Sequence, residues 1–129
     1  MLQYILSILL LLGFDFLWLQ FYMADKYKIM IKKIQNQEMN ANLVYAMFAY
    51  ILMIIGLVIF VVPNISKKNR LFDSLKYGFI FGLVVYGVYD FTIGAVLQKW
   101  DMKLALYDIL WGGFVYFISA YLGSLLTQK

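Results

Sequence analysis

The sequence has no cysteine and no histidine, a single proline, and charge on only 14% of its residues. Without Cys or His, it cannot form disulfides, thiolate or imidazole metal sites, haem ligation, or catalytic triads built on either residue. Any chemistry must come from carboxylates, hydroxyls, amides and aromatic rings. We therefore assign no catalytic residue, metal ligand or cofactor from the sequence.

Apolar residues make up 64% of the 129 residues, above the roughly 45 to 50% of soluble domains. Hydropathy finds stretches long enough to cross a bilayer at residues 2–22, 42–62, 76–98 and 103–126. Each should be a helix, because a backbone in lipid must satisfy its own hydrogen bonds. The sequence predicts an all-α integral membrane protein of the cell (inner) membrane, a single domain of four spans in a compact bundle.

The connector after the first span, residues 24–41, is the longest polar stretch. Its apolar positions share one helical face: Tyr27, Met30, Ile31 and Ile34. This pattern predicts a short amphipathic helix over residues 27–37 at the membrane interface. A direct continuation of the first span and a solvated loop remain alternatives. The other face should attract anionic lipid headgroups through Lys26, Lys28, Lys32 and Lys33.

The net charge of +4 does not favour nucleic-acid binding, because the basic residues lie in short connectors beside apolar runs. Four spans predict that both termini lie on one side of the membrane. The side with the first and third connectors carries six Lys or Arg, and the other side carries five. This difference is too small to decide which side is cytoplasmic.

Three aspartates, Asp15, Asp90 and Asp108, are the acids inside the predicted spans, and no basic residue lies at their depth. Counting along antiparallel spans at about 1.5 Å per residue puts all three about 8 to 12 Å from one membrane face. They form one layer, nearer the first and third connectors. Structural hydrogen bonding by protonated acids is the alternative to function, but a Ser or Asn would join helices at lower cost. A functional polar layer is therefore favoured.

Aromatic and hydroxyl side chains accompany these acids. Two acids precede a Trp by three residues, on the same helical face, and an indole N–H can hold a carboxyl. The predicted supporting residues are Trp18, Tyr86, Tyr89, Thr92 and Trp111. Small residues on the third and fourth spans predict close helix packing: Gly78, Gly82, Gly112, Ser119 and Gly123.

The same residues carry a resemblance over nearly the whole chain. The order Asp15-x-x-Trp18-Leu19, Tyr86-x-x-Tyr89-Asp90-x-Thr92 and Asp108-x-x-Trp111-Gly112 resembles the uncharacterised membrane-protein family known as domain of unknown function 2177. The segment from Tyr86 to Gly112 is the specific part. Ile93 stands where the resemblance leads us to expect Asn. The resemblance implies a four-helix membrane protein, mostly bacterial, and supplies no activity.

The acid layer suits translocation of a proton or small cation, which is our first prediction, and a chain of this size would need to oligomerise to enclose a pathway. Lipid headgroup recognition or lipid-modifying activity is the second prediction. An accessory subunit that binds other membrane helices is the third. An enzyme is not favoured, because no D-x-x-D, G-x-S-x-G or comparable signature is present.

Overall fold

The computed structural model describes residues 1–37 and 42–127. Within these residues, four helices are long and apolar enough to span a membrane, and there is no strand. They are α1 (Leu2–Gln35), α2 (Leu43–Asn64), α3 (Arg70–Val96) and α4 (Met102–Thr127). The predicted all-α, four-span membrane fold is confirmed. The main difference is at the ends: α1 continues to Gln35 rather than ending near residue 22, and α3 begins at Arg70 rather than residue 76.

Polar side chains and one left-handed residue set the helix ends. The Asn42 side chain accepts hydrogen bonds from the amides of Val44 and Tyr45 at the start of α2, and Asp101 does the same at the start of α4. These side chains satisfy backbone donors that the first turn leaves free. α1 stops at Asn36, whose φ of 59° is left-handed.

Three of the helices contain a wider, π-helical turn: Leu19–Met23 in α1, Leu57–Val61 in α2 and Ser74–Phe79 in α3. Each such turn adds a residue and changes the direction in which the following side chains point. In α1 the turn separates the membrane span from its polar extension, Ala24–Gln35.

α4 lies at the centre of the bundle. In the most apolar 18-residue stretch of α4, 44% of the residues are buried. The corresponding share is 17% in each of the other three spans. It packs on α1, α3 and the second half of α2 around a core cluster that includes Leu11, Leu57, Val115 and Tyr116, each fully buried. The Tyr116 hydroxyl also donates to the Met53 carbonyl at 3.1 Å. This core fills the half of the bundle nearer the second connector.

The α1 extension is helical and uses the predicted apolar face, but that face packs on protein. Tyr27 stacks on Trp100 in the third connector, with ring centroids 6.1 Å apart. The sulfur of Met30 accepts a hydrogen bond from the Asp101 amide at 3.1 Å. The lysines of the extension all point outward and are exposed: Lys26, Lys28, Lys32 and Lys33. The extension therefore closes one end of the bundle against the loop between α3 and α4.

The first half of α2 is mostly exposed. Leu43 is 77% exposed and Tyr45 is 73% exposed, and from Leu43 to Gly56 the buried residue is Gly56 itself. The second half packs tightly through Leu57 and Val61. The helix thus leaves an open space beside α1 and α3, at the depth of the aspartates.

Candidate functional site

The three aspartates of the spans lie inside the bundle and close to one another. Asp15 and Asp108 are each 5% exposed, and Asp90 is fully buried. α1, α3 and α4 each supply one of them, so the acid layer (Asp15, Asp90 and Asp108) joins three helices. The acids divide into one that is fully hydrogen-bonded and two that face each other.

Asp15 is held by donors from each of the other three spans. It accepts hydrogen bonds from the Tyr50 hydroxyl of α2 at 3.0 Å, the Tyr86 hydroxyl of α3 at 2.8 Å and the Trp111 indole of α4 at 3.2 Å. Each of these hydrogen bonds joins α1 to a different helix. Asp15 is therefore the residue that ties the helices together at this depth.

Asp90 and Asp108 are neighbours whose carboxyl groups interact with each other. Among the described residues, no N–H or O–H donor bonds to either carboxyl oxygen of Asp90. Two carboxyl groups can hydrogen-bond to each other only when one of them carries a proton, because a carboxylate has no donor. Trp18 and Tyr27 also approach Asp108. The two acids are therefore neighbours on α3 and α4, and among the described residues no other donor bonds to Asp90.

The two Asp-x-x-Trp segments exchange partners between α1 and α4. Trp111 donates to Asp15 of the opposite helix, and Trp18 lies beside Asp108. The indole rings of Trp18 and Trp111 stack on each other, with centroids 4.7 Å apart and planes 6° from parallel. In the described part of the chain the Trp18 N–H makes no direct hydrogen bond. Each indole thus lies beside the acid of the other helix, and the Trp111 indole donates a hydrogen bond to that acid.

Tyr86, Tyr89 and Thr92 of α3 have different surroundings. Tyr86 bonds to Asp15. Tyr89 is 54% exposed but lies near both Asp90 and Asp108. Thr92 is exposed on the outside of the helix and is not brought into the acid layer. The hydroxyl groups near Asp90 are therefore fewer than the sequence leads one to expect.

The small residues bring α3 and α4 into close contact. A methyl group on Gly82 would collide with the backbone carbonyl of Gly112, and one on Gly112 would collide with the Tyr86 ring. Only glycine allows this approach of α3 to α4. Two other predicted packing residues also lie at helix contacts: Gly78 packs against the α4 backbone, and Gly123 packs against Ser7. Ser119 is fully buried.

Sequence reasoning missed Tyr27, Tyr50 and Trp100 as parts of the site. Tyr50 comes seven residues after the start of α2 at Leu43, which is the depth of the acids at about 1.5 Å per residue. The same count that grouped the acids would have found it. Tyr27 and Trp100 had no comparable signal, because their contact depends on how the connectors fold together.

A cavity of about 730 Å³ lies between α2 and the acid layer. Its polar wall carries Asp15 and Asp108 together with tyrosines of α1, α2 and α3, and its apolar wall includes Leu52 and Met53 of α2. None of the described residues that line it is Lys or Arg. The space left by the first half of α2 is thus an apolar cavity with acids on one side.

The chain was compared with known families, curated proteins and solved structures. Residues 1–125 match the model of a family described as Predicted membrane protein (DUF2177). Neither the curated proteins nor the solved structures include a match to the chain. The comparisons agree with membrane integration and attach no activity to the acid layer.

Proposed function

We propose that this chain, which belongs to the DUF2177 family of predicted membrane proteins, moves protons across the membrane by exchanging them at the Asp90–Asp108 pair. The observation that carries the proposal is the burial of Asp90 beside Asp108, with no other donor to the Asp90 carboxyl among the described residues. Ionisable residues at membrane depth are costly and mark ion or proton pathways. A proton that passes between two such carboxyls explains their presence.

A proton fits this arrangement better than a metal-like cation. Asp15, the third acid, already accepts three hydrogen bonds, which leaves about one of its four acceptor positions for a metal ion. Among the described residues, no group of three or more Asp, Glu, Cys or His is arranged to hold a metal ion. The pair alone offers few ligands to a cation, but two carboxyls are sufficient to hold and release a proton.

The experiment measures proton flux into liposomes that contain the purified protein, driven by a potassium diffusion potential and followed with an internal pH dye. Asp90→Asn keeps the shape of the side chain but removes its titration, so flux should fall to the level of empty liposomes while the melting temperature stays near that of the wild type. Asp90→Leu should lose flux and also stability, because it removes the carboxyl group of α3 that interacts with Asp108.

Asp25→Asn is the matched control, since Asp25 is an exposed acid of the α1 extension and its replacement should leave flux unchanged. An Asp90→Asn variant that conducts like the wild type would end the translocation proposal. In that case the pair is structural, and only Asp90→Leu should affect the protein.

Lipid recognition is the second candidate, and the cavity beside the acid layer is the observation that favours it. The exposed lysines of the α1 extension would attract anionic headgroups outside that cavity. The proposal also includes placement in the cell membrane with both termini on one side, and assembly of several copies if one chain cannot enclose a pathway.

A further inference from the structure

We propose that the cavity between α2 and the acid layer binds a single-chain amphiphile whose head carries a protonated amine and a hydroxyl group. The head lies beside Asp15 and Asp108, and the chain lies against α2. This inference deepens the lipid-recognition candidate by naming the ligand class, and it does not depend on proton exchange at Asp90, which is not among the residues that line the cavity.

The size of the cavity argues for an organic ligand. Its volume of about 730 Å³ lies within the roughly 300 to 1,000 Å³ typical of small-molecule sites. A bound water occupies about 30 Å³, so a proton or a hydrated cation would use a small part of this space. The apolar wall formed by residues such as Leu52, Met53 and Val85 suits a hydrocarbon chain instead.

The acidic residues of the cavity wall favour a particular headgroup on the ligand. Asp15 and Asp108 both line the cavity, and among the described lining residues there is no Lys or Arg to balance them. An acidic headgroup would be repelled, whereas a protonated amine would gain a charge-assisted hydrogen bond. The rings of Tyr27, Tyr89 and Trp100 also line the cavity, and aromatic faces attract ammonium groups.

Trp100 supplies an independent reason for the hydroxyl. The residue is only 7% exposed, it lines the cavity, and its indole N–H has no hydrogen-bond acceptor among the described residues. A buried donor without an acceptor is unfavourable, and a ligand oxygen would satisfy it. An amino alcohol therefore matches both the acids and the unpaired donor, which a simple amine does not.

The ligand can enter from the lipid, because the first half of α2 leaves the cavity open at membrane depth. Residues on its outer side are in contact with the surroundings, with Val44 56% exposed and Phe48 59% exposed. The residues that it turns toward the cavity include two alanines, Ala46 and Ala49. Small side chains there keep the space open for a hydrocarbon chain.

The test uses protein in phosphatidylcholine nanodiscs and the fluorescence of its own tryptophans. The probe is 2-amino-1-hexadecanol with a dibrominated tail, since bromine quenches nearby indoles. Brominated 1-hexadecanol, which lacks the amine, and brominated hexadecanoate, which is acidic, are the comparators. The amino alcohol should quench saturably and be displaced by its unlabelled form, with an affinity at least about tenfold above either comparator.

Two variants of α2 locate the site. Ala46→Phe fills the cavity and should abolish saturable quenching while proton flux is unchanged. Val44→Phe, on the exposed side of the same helix, should bind as the wild type does. Equal quenching by all three probes, or binding that survives Ala46→Phe, would overturn the inference. Loss of flux in Asp90→Asn bears only on the proton proposal, so the two can fail separately.

Discussion

Asp15 and Asp90 are the same amino acid at the same membrane depth, but their surroundings give them different roles. Asp15 accepts hydrogen bonds from three helices and so acts as a fixed acceptor. Asp90 is more deeply buried and has Asp108 as its polar neighbour. Under the proposed function, Asp90 exchanges protons with Asp108, and Asp15 joins the helices.

Asp15→Ala should therefore lower the stability of the protein more than the substitution of any one of the three residues that donate to Asp15. The variant leaves three donors of α2, α3 and α4 without their acceptor, and hydrogen bonds between membrane helices contribute roughly 0.6 to 2 kcal/mol each. We expect a loss of about 2 to 4 kcal/mol in the free energy of unfolding, against about 1 kcal/mol for Tyr50→Phe. Denaturant titration in detergent measures both, and equal losses would contradict the assignment of Asp15 as the shared acceptor.

The depth of these residues follows from the sequence, but their partners do not. Counting residues along antiparallel spans places Asp15, Asp90 and Asp108 in one layer, where the structure also has them. The donor of each carboxyl depends on the lateral order of the helices and on their rotation, which the sequence does not encode locally. For that reason Trp111 was expected near its own Asp108 and instead bonds to Asp15, and Thr92 faces outward.

At the scale of helices, Gly82 controls the spacing between α3 and α4. A methyl group there meets the Gly112 carbonyl, a backbone group that cannot rotate away, so the helices must separate. Gly82→Ala should cost about 1 to 3 kcal/mol of stability and reduce proton flux by moving Asp90 from Asp108. Gly13→Ala is the control, because a methyl group at Gly13 has no neighbour within 4 Å, and it should be neutral or slightly stabilising.

The α1 extension gives a second prediction at this scale. Since its apolar face packs on Trp100 and Leu104, its backbone amides should be protected from hydrogen exchange in neutral and anionic nanodiscs alike. Trp100→Ala should remove part of that protection in both. Protection that appears only with anionic lipid would show that the lysines, rather than the third connector, hold the extension in place.

Hydropathy found the spans, and two of the helices extend beyond the predicted spans for a physical reason. Mean hydropathy along the chain detects segments that are apolar enough to enter lipid. The extension after Met23 is too polar to be detected in this way. Its period of apolar residues did predict a helix, and the choice between lipid and protein as its partner required knowledge of the third connector. No residue pattern in the sequence marks the π-helical turns. The sequence therefore does not predict the π-helical turn at Leu19–Met23 or the change it makes in the direction of the following side chains.

At the scale of the whole molecule, the bundle has two unequal halves. The acid layer and its cavity occupy the half near the first and third connectors. The other half is closed by a core of fully buried apolar residues, among them Leu11, Leu57 and Val115. Under the proposed translocation, protons would reach the acids from one side and would have to pass this core to reach the other. The proposal therefore requires the core to open or admit water.

Leu11 offers the last test, because it lies in that core on the same helix as Asp15 and is fully buried. Leu11→Thr puts a hydroxyl in the barrier and should increase proton flux above the wild-type rate, although the variant should melt at a lower temperature. Leu9→Thr is the matched control, since Leu9 is 61% exposed toward the lipid and its replacement should not change flux. The decisive variant combines Leu11→Thr with Asp90→Asn. If protons pass through the acid layer, the second substitution removes the gain; a gain that persists is a leak unrelated to the acids and contradicts the proposed path.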